Sequence, residues 1–453
     1  MAEKSRKKRL ILINPANPMM KGIFRRPALQ PPLALAIIAS LTPPDWEVRI
    51  IDENFRHFHY KEADLVGITA LSSTSPRAYE IAAEFREKGI PVILGGVHAT
   101  LMPDEALNYV DSVVMGYVEE VWQEIIKDFE NGELKKKYKK PIDITKKIPI
   151  PRYDLLHPAY MFGSLQTSRG CQMHCDFCTI PVMNDHKYQL RNVDDVLDEL
   201  QAIPQKLIYI VDDNLVGLGT GPREHARRLF QGMIDRNLNK EWFAYVSLGF
   251  GDDEELVKLA VKSGCKMVLI GMESEKPDQL KKINKRVNSA LGPESYRKVV
   301  RILHRHGICV VGSFIFGLDT DTKEDLRARL KFMLRSSFDN PLPNVMTPFP
   351  GTRIFDRILA EDRLLYQDFP KDWKKFHGAH VVYKPTYLDP GFLSKEMEYI
   401  TKSLYRRDRV LIRLIRTLWN TRRLRTAVWA YSHNVNLREL TKHPDALFYD
   451  QEV

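Results

Sequence analysis

The sequence predicts an α/β protein made of two parallel sheets followed by a helical region. Short apolar strands alternate with amphipathic helices, first over residues 9–130 and again over about residues 160–385. Such alternation produces parallel sheets with helices on their faces. After about residue 390 the strand-like runs stop. We therefore expect an N-terminal doubly wound, Rossmann-like domain, a partial (β/α)6 barrel and a helical C-terminal region.

The first domain alternates strands and helices in chain order. Its strands are predicted at Arg9–Ile13, Glu47–Asp52, Asp64–Ala70, Pro91–Leu94 and Ser112–Met115. Its helices are predicted at Pro32–Leu41, Pro76–Lys88 and Asp104–Tyr109. Doubly wound sheets bind ligands at the carboxyl ends of their strands, so we expect a site at that edge.

A polar, basic and proline-punctuated linker is expected over residues 136–159. It separates a first domain of residues 1–135 from a barrel of residues 160–388 and a helical basic region of residues 389–453. The barrel strands are predicted at Lys206–Val211, Trp242–Ser247, Met267–Gly271, Val310–Phe316 and Asn344–Thr347. A partial (β/α)6 barrel places its active site at the C-terminal strand ends.

Composition indicates a globular protein of a reducing compartment. The chain has 453 residues, of which 44% are hydrophobic and 28% charged, and no apolar run approaches the ~20 residues of a membrane span. The N-terminus is basic, but the apolar run Leu10–Ile13 is too short for a signal peptide. The cysteines are few and unpaired in spacing. We expect a cytoplasmic protein, with peripheral membrane contact left open.

Three of the five cysteines lie in one short loop, at Cys171, Cys175 and Cys178. Three soft thiolates suit an iron–sulfur cluster or zinc. Cys265 and Cys309 are solitary and distant in sequence, so no fourth protein ligand is evident and one iron of a cluster would stay free. A zinc site completed by His174 or His186 is the alternative.

This spacing, with Phe177 just before the last cysteine, resembles the radical S-adenosylmethionine (SAM) superfamily. In that family the free iron of a [4Fe–4S] cluster chelates SAM. Reduction of SAM then yields a 5′-deoxyadenosyl radical, which removes hydrogen from an unactivated carbon. The resemblance implies that Cys171, Cys175 and Cys178 hold the cluster. It also implies SAM as a cofactor and an electron donor of the flavodoxin or ferredoxin type.

Further motifs extend the resemblance along the second domain. Gly271-Met272-Glu273-Ser274 is similar to the motif that receives the SAM amino group, and Gly312–Gly317 resembles the strand that passes under the adenine. Thr347–Thr352 resembles the loop that closes the sixth strand. The implied SAM-binding residues lie on the cysteine loop and the strand ends: Phe177, Asp212, Ser247, Gly271, Glu273, Gly312 and Ile315. An ordinary buried strand at Gly312 and a core role for Phe177 are the alternatives.

The first domain resembles the cobalamin-binding domain that precedes many radical SAM enzymes. The matching pieces are Asn14-Pro15, Gly67–Ser72 and Gly95–Thr100. The resemblance implies cobalamin contacts at the strand ends: Asn14, Thr69, Ser72, Gly95, Gly96, His98 and Gly116. His98 is a candidate cobalt ligand, although a histidine at this place more often makes hydrogen bonds within its loop.

Two departures from the cobalamin pattern stand out. The Asp-x-His-x-x-Gly motif of other cobalamin proteins is absent. In addition, Gly116-Tyr117-Val118-Glu119-Glu120 stands where relatives usually have Gly-Glu-Gly-Glu. Val118 is expected to narrow a loop facing the corrin. A first domain that only packs against the barrel is therefore the alternative to cobalamin binding.

The tail predicts a basic amphipathic helix. Leu404, Leu411, Ile415 and Leu418 repeat at helical spacing beside several arginines, and the net charge of the chain is +10. The helix either docks on an anionic membrane surface or packs its apolar face on the barrel with its arginines solvated. Nucleic-acid binding is not expected, because the charge is concentrated in this region and no RNA-binding module accompanies it.

The leading functional hypothesis is a cobalamin-dependent radical SAM methyltransferase acting on a hydrophobic substrate. Polyisoprenoids, hopanoids and other membrane lipids come first, with tetrapyrroles and peptide-derived products behind them. A second hypothesis is radical carbon–carbon coupling or cyclisation without methyl transfer, which the Tyr117-Val118 change favours. A third is a non-enzymatic iron–sulfur or cobalamin sensor, although a sensor has no need for a SAM amino-group site at Glu273.

Overall fold

A computed structural model describes residues 6–144 and 146–444. It contains two six-stranded parallel sheets, one after the other along the chain, and a helical C-terminal region. The predicted fold class is therefore confirmed.

The first sheet has the strand order β2-β1-β3-β4-β5-β6. Its strands are β1 (Arg9–Asn14), β2 (Glu47–Asp52), β3 (Leu65–Thr69), β4 (Val92–Gly95), β5 (Ser112–Val114) and β6 (Lys137–Tyr138). The helices are α1 (Leu33–Leu41), α2 (Ser75–Arg86), α3 (Val97–Leu101), α4 (Pro103–Ala106) and α5 (Trp122–Asn131). Separate apolar clusters cover its two faces, one around Phe85 on α2 and one around Trp122 on α5, as in a doubly wound sheet.

The sheet continues into the segment predicted as a linker. β6 pairs with β5 through Val113↔Lys137 and Val114↔Tyr138. The Tyr138 hydroxyl donates to Asp128 Oδ2 at 2.8 Å and its ring is buried. Basic composition alone suggested a linker here, but the buried tyrosine attaches the segment to the domain.

The second sheet has the strand order β14-β13-β12-β11-β10-β7, and all its pairs are parallel. Its strands and an antiparallel pair beside it are β7 (Phe162–Leu165), β8 (Ser168–Gly170), β9 (Tyr188–Leu190), β10 (Leu207–Ile210), β11 (Glu241–Tyr245), β12 (Cys265–Glu273), β13 (Cys309–Phe316) and β14 (Asn340–Val345). The helices are α6 (Ile180–Met183), α7 (Val193–Ala202), α8 (Thr220–Asp235), α9 (Glu254–Lys262), α10 (Pro277–Lys282), α11 (Arg286–Leu291), α12 (Glu294–Arg305), α13 (Lys323–Arg335) and α14 (Arg353–Ala360).

β14 begins four residues before the predicted strand at Asn344–Thr347. Pro341 and Pro343 fall inside it, and proline ordinarily argues against a strand because it has no N–H to donate. β14 is the edge of the sheet and pairs only with β13, so one of its sides needs no donors.

The C-terminal region consists of α15 (Pro390–Leu404), α16 (Arg407–Thr421) and α17 (Leu424–Arg438). Trp429 and Ala430 of α17 pack against Phe243, Met267 and Val311. The Thr426 hydroxyl donates to the carbonyl of Gly307, just before β13, at 2.7 Å. α17 therefore closes the end of the barrel at which the strands start.

The predicted amphipathic helix turns its apolar side to solvent, which is the reverse of the alternative in which that side packs on the barrel. Leu404 is buried at the end of α15, but Leu411, Ile415 and Leu418 of α16 are exposed, and Arg413 is buried. The expectation that this apolar face packs on the barrel with solvated arginines is therefore wrong. The reason is that buried polar partners fix the basic side of α16.

Candidate functional site

The cysteine loop connects β8 and β9, the antiparallel pair beside the second sheet. These strands pair as Ser168↔Leu190 and Gly170↔Tyr188, so the two ends of the loop lie side by side. Gly170 has φ +84°, and a Cβ there would lie 2.0 Å from the carbonyl oxygen of Lys187. Only glycine permits this closure of the loop.

Two consecutive carboxylates after β10 hold the start of this loop. Asp212 is fully buried and accepts hydrogen bonds from the Thr167 amide at 2.6 Å, the Thr167 hydroxyl at 2.5 Å and the Ser168 hydroxyl at 2.7 Å. Asp213 Oδ2 accepts from the Gly170 amide at 3.0 Å. Burial raises the pKa of Asp213 to about 6. These hydrogen bonds to Thr167 and Ser168 give Asp212 a structural role, which is to position the cysteine loop.

The far side of the loop is bound to the segment after α10. The Asp176 amide donates to the carbonyl of Ile283 at 3.2 Å, and Asn284 Nδ2 donates to the carbonyl of His174 at 2.6 Å. The next residue, Lys285, donates from Nζ to Glu273 Oε1 at 2.8 Å. Both side chains are largely buried. The predicted acceptor of the SAM amino group thus has a lysine partner beside the cysteines.

Gly271 leaves the space that this ion pair occupies. A Cβ at Gly271 would lie 2.3 Å from Glu273 Oε1 and 2.9 Å from Lys285 Nζ. The register between β12 and β13 shifts between Gly271 and Glu273, and Glu273 has φ +63°. A bulge of this kind redirects a side chain at a strand end. Glu273 can therefore take this position only because residue 271 has no side chain.

Burial raises the pKa of all three thiols, to about 11 for Cys175 and about 12 for Cys178. The Lys285 ammonium opposes this effect at each of them. Burial alone would lower the pKa of Lys285, but the Glu273 carboxylate together with the charges of Cys175 and Cys178 outweighs burial and holds that pKa above its usual range. The charged lysine favours thiolates, which are the form that binds iron.

The other metal ligands that the sequence suggested either lie away from the cysteine loop or contact each other. His174 Nδ1 and His186 Nδ1 are 3.2 Å apart in an exposed contact. Among the described residues, no three His, Cys, Asp or Glu side chains are grouped so as to hold one metal ion. Cys265 and Cys309 are buried at the starts of β12 and β13, the end of the barrel opposite to the cysteine loop.

The remaining predicted SAM residues surround the same strand ends, apart from Gly312. The Ser247 amide, after β11, donates to Asn214 Oδ1 at 3.0 Å. Phe177 and Ile315 pack in one apolar cluster. A Cβ at Gly312 would lie 2.8 Å from Phe338, which belongs to the core outside the barrel. Packing therefore explains this glycine, and contact of its backbone with SAM stays a prediction.

In the first domain, His98 is fully buried and both its ring nitrogens have partners. Nδ1 lies 3.3 Å from the Ser72 hydroxyl, and Nε2 lies 2.9 Å from the Tyr79 hydroxyl and 3.0 Å from Glu105 Oε1. This supports the hydrogen-bonding role for His98 over the cobalt-ligand role. Gly96 precedes it with φ +94°, where a Cβ would lie 2.8 Å from the carbonyl oxygen of Ala70.

The other predicted cobalamin residues lie at the carboxyl ends of the strands. Asn14 ends β1 and donates to Asp52 Oδ1 at 2.9 Å, while Thr69 ends β3 and Gly95 ends β4. Gly116 follows β5 with φ +83°, and a Cβ there would meet nothing within 4 Å. The edge is therefore open at Gly116, as a bulky ligand requires.

Tyr117 and Val118 both have contacts away from the open edge. Val118 is partly buried and packs against the apolar cluster on one face of the sheet. The Tyr117 hydroxyl donates to Asn184 Oδ1 of the second domain at 2.8 Å, and its ring lies 4.0 Å from the guanidinium carbon of Arg169. These contacts give both residues a structural role, and the narrowing of the corrin site by Val118 stays a prediction.

The C-terminal edges of the two sheets meet, with the cysteine loop between them. Arg169 Nη2, just before that loop, donates to Glu119 Oε1 of the first domain at 2.5 Å. Trp373 Nε1 donates to both oxygens of Glu105, at 3.1 and 2.9 Å. Arg169 Nη1 and Asn214 Nδ2 are buried with no hydrogen-bond partner among the described residues. Two unused donors thus lie where the predicted ligands would bind.

Two protein-family models match these two units. The model of the radical SAM superfamily matches residues 165–333, and the model of the B12 binding domain matches residues 24–126. The first match spans the cysteine loop and the Glu273–Lys285 pair.

The chain belongs to the radical SAM superfamily, and it carries an N-terminal B12-binding domain.

Relatives share this organisation over most of their length. The chain is 29% identical to bacteriochlorophyllide d C-12(1)-methyltransferase of Chlorobaculum tepidum over 91% of both chains. It is 26% identical to hopanoid C-2 methylase of Rhodopseudomonas palustris, over 75% of this chain and 66% of that one. The structure of TsrM from Kitasatospora setae, with cobalamin and a [4Fe–4S] cluster bound, matches 79% of this chain and 75% of that one with a TM-score of 0.63 at 20% identity.

This radical SAM protein is an enzyme of the cobalamin-dependent methyltransferase type, with a [4Fe–4S] cluster, SAM and cobalamin as cofactors. Its own residues fit these groups. The three cysteines lie on one pinned loop, the donors Arg169 Nη1 and Asn214 Nδ2 are unused, and the sheet edge at Gly116 is open.

Sequence reasoning did not find several residues that shape the site of this radical SAM enzyme. Lys285 had no signal, because it belongs to no recognisable spacing. Arg329 of α13 is fully buried and donates to Asp321 Oδ2 at 2.8 Å and to the carbonyl of Ile315 at 2.7 Å. It thereby supports the end of β13. An arginine in a charged helix gives no sign of such burial.

Proposed function

We propose that the enzyme methylates an unactivated carbon of a hydrophobic tetrapyrrole, with a polycyclic lipid as the second candidate substrate. The relatives support this order, because bacteriochlorophyllide and hopanoid methylation are named for two proteins similar along most of this chain. The order reverses the expectation from sequence, which placed lipids first.

One structural observation carries the proposal, namely that the two ligand-binding sheet edges face each other. The apolar cluster at this junction combines Met102 of the first domain, Phe177 of the cysteine loop, Ile315 at the end of β13 and Trp373 from the segment after α14. An apolar lining between two sheet edges that each bind a cofactor suits a substrate with a large apolar surface.

When bound, the cluster and SAM supply a hydrogen-abstracting carbon radical, and cobalamin supplies the methyl group. Cys171, Cys175 and Cys178 hold the cluster in this proposal. Glu273 would accept the SAM amino group, and Lys285 holds the Glu273 carboxylate in position. Asp212 fixes the loop that carries the cysteines.

Radical coupling or cyclisation without methyl transfer loses its main support from the sequence. The change at Tyr117 and Val118 favoured it because it was expected to block the corrin. Val118 packs against the core of the first domain, and Tyr117 packs on Arg169. Methyl transfer therefore stays ahead.

The deciding experiment is anaerobic reconstitution with iron, sulfide and hydroxocobalamin, followed by desalting and an absorption spectrum. We expect a broad cluster band together with sharp corrin bands. The Cys175→Ala variant should lose the cluster band and keep the corrin bands. Cys265→Ala is the matched control, since this buried cysteine lies at the other end of the barrel, and it should keep both.

Substrate class is then tested with methyl-labelled SAM against a chlorophyllide-type pigment extract and a hopanoid extract. Label in the pigment fraction, absent with Cys175→Ala, supports the proposal. Label only in the lipid fraction selects the second candidate. A cluster without corrin, or turnover of SAM with no label in either product, contradicts methyl transfer.

A further inference from the structure

The helical hairpin formed by α16 and α17 has an apolar outer face. The hairpin face consists of exposed side chains from both helices: Leu411, Ile412, Ile415, Leu418, Trp419, Leu424, Val428 and Tyr431. Trp419 is 76% exposed and Ile415 is 68% exposed. Single exposed apolar residues are common, but a contiguous group of this size marks an interaction surface.

The inner side of α16 is polar, so this helix has the reverse of the usual arrangement. Its buried residues are Val410, Arg413, Thr417 and Thr421. Arg413 Nε donates to Asn434 Oδ1 at 3.1 Å, and Arg413 Nη2 donates to the carbonyl of Leu404 at 2.7 Å. The Thr417 hydroxyl donates to Asp339 Oδ1 at 2.6 Å. Specific polar bonds hold the hairpin on the barrel, which leaves the apolar residues free for another surface.

The charge on the hairpin selects the kind of surface. From Arg407 to Arg438 the only acidic residue is Asp408. Arg422 and Arg423 are exposed at the turn between the helices, and Arg407 is exposed at the other end of α16, where Arg406 pairs with Asp408. A second copy of the chain would place these arginines opposite each other with almost no acids to pair with. An anionic surface would neutralise them.

We propose that the hairpin face docks the protein on the surface of an anionic phospholipid bilayer, with α16 and α17 lying in the plane of the interface. An apolar helix face with a basic border binds membranes in this way. Trp419 would lie at the headgroup level, where tryptophan is favoured, with Arg422 beside it. Among the described residues no helix is long and apolar enough to cross a bilayer.

This docking is independent of the proposed reaction. α17 closes the starts of the barrel strands, whereas the cysteine loop and Glu273 lie at the opposite strand ends. The hairpin therefore tethers the enzyme without covering its site with the bilayer.

Vesicle flotation tests the docking with the full chain. One set of vesicles is phosphatidylcholine alone, and the other is phosphatidylcholine containing phosphatidylglycerol. We expect flotation with the anionic vesicles only, and weaker flotation at high salt. The double substitution Ile415→Ser/Trp419→Ser should weaken binding roughly tenfold or more, since it removes apolar surface that enters the interface.

The matched control is Leu359→Ser/Tyr387→Ser, which changes two exposed apolar residues away from the hairpin. It should bind as the wild type does. The charge variant Arg422→Gln/Arg423→Gln should weaken binding roughly fivefold per arginine. Should the hairpin variants fail to fold, the wild type still decides: brominated lipid should quench tryptophan emission, and Trp419→Phe should abolish that quenching.

Four results would overturn the proposal. The first is no flotation with anionic vesicles. The second is equal flotation with phosphatidylcholine alone. The third is an equal loss in the control variant. The fourth is a dimer in lipid-free light scattering that Ile415→Ser/Trp419→Ser dissociates, because it would assign the hairpin face to a second copy of the chain.

Discussion

At the scale of single residues, the site depends on a glycine, a glutamate and a lysine that fit only together. Gly271 leaves the space, Glu273 fills it through a bulge, and Lys285 neutralises the carboxylate. Each feature alone is ordinary, since Gly-x-Glu turns and buried ion pairs both occur without function. The arrangement is specific because the turn and the ion pair occur together beside three cysteines.

Gly271→Ala should displace the ion pair and weaken SAM binding. The added methyl group would lie 2.3 Å from Glu273 Oε1, which forces the carboxylate to move. We expect the affinity of the reconstituted enzyme for SAM to fall roughly tenfold or more, and stability to fall by ~1–3 kcal/mol. Equilibrium dialysis with labelled SAM measures the first effect. Gly221→Ala on α8, where a Cβ meets nothing within 4 Å, should leave SAM binding unchanged.

Lys285→Met should destabilise the apoprotein by ~3 kcal/mol, because it leaves the buried Glu273 carboxylate without its partner. Urea unfolding followed by circular dichroism measures this change. Lys258→Met, which breaks an exposed pair with Glu255, should cost no more than ~0.5 kcal/mol. A double variant with Glu273→Gln should recover part of the loss. Equal losses of stability in Lys285→Met and Lys258→Met would contradict a stabilising ion pair between Lys285 and Glu273.

At the scale of elements, the starts of β13 and β14 supply the polar partners that orient the C-terminal hairpin. Asp339, just before β14, is fully buried. It accepts hydrogen bonds from the Val310 amide at 2.7 Å and the Thr417 hydroxyl at 2.6 Å, and His304 Nε2 lies 2.7 Å away. One carboxylate thus connects α12, β13 and α16, and it decides which face of α16 is buried.

Arg413→Met should cost ~2–3 kcal/mol of stability, since Asn434 and the Leu404 carbonyl would lose a charged donor in a buried position. Arg407→Met, on the exposed side of the same helix, should change stability by less than ~0.5 kcal/mol. Differential scanning fluorimetry of the two variants compares them directly. Similar shifts in melting temperature would argue against the inward orientation of Arg413.

Stability should fall in acid as Asp339 takes up a proton. Burial opposes the charge of Asp339, but His304 and its other donors outweigh burial and hold its pKa below the ordinary value. A carboxyl group with a depressed folded-state pKa stabilises the fold above its unfolded pKa of ~4 and loses that contribution as pH falls further. Asp339→Asn should therefore flatten the pH dependence of unfolding below about pH 4. An unchanged pH profile would exclude this role.

At the scale of the whole molecule, two separate parallel sheets face each other through the carboxyl ends of their strands. Contacts across this junction come from loops whose residues were expected to act only within their own domain. Tyr117 reaches Asn184 and Arg169, and Glu105 reaches Trp373. The loop change that cast doubt on cobalamin therefore has a second explanation, as a contact between domains.

Val118→Gly should leave cobalamin occupancy unchanged, because Val118 packs in the core of the first domain. We expect the variant to lose ~2 kcal/mol of stability through lost apolar burial and a more flexible backbone. Corrin absorbance after reconstitution and desalting measures occupancy, and urea unfolding measures stability. A clear gain in bound corrin would restore the idea that Val118 obstructs the site.

Much of the fold followed from local patterns. The strand Glu47–Asp52 has its predicted bounds, and most other predicted strands differ by one or two residues at an end. Short apolar runs of this length are typical of buried strands, so the hydrophobic pattern of the sequence locates the strands. Strand β6 was missed, because the polar sequence there indicates a linker until Tyr138 is seen to be buried.

The sequence by itself determined the chemistry, since Cys171, Cys175 and Cys178 and the Gly271–Glu273 motif are short-range patterns that carry their meaning along the chain. The tertiary structure decided what surrounds them: Lys285 bonds to Glu273, Asp212 holds the start of the cysteine loop, and Val118 packs against the core of the first domain. It also decided that the hairpin shows its apolar side to solvent. A helical stripe in sequence gives a direction around an axis, and only the packed partners, here Asp339 and Asn434, determine which side is buried.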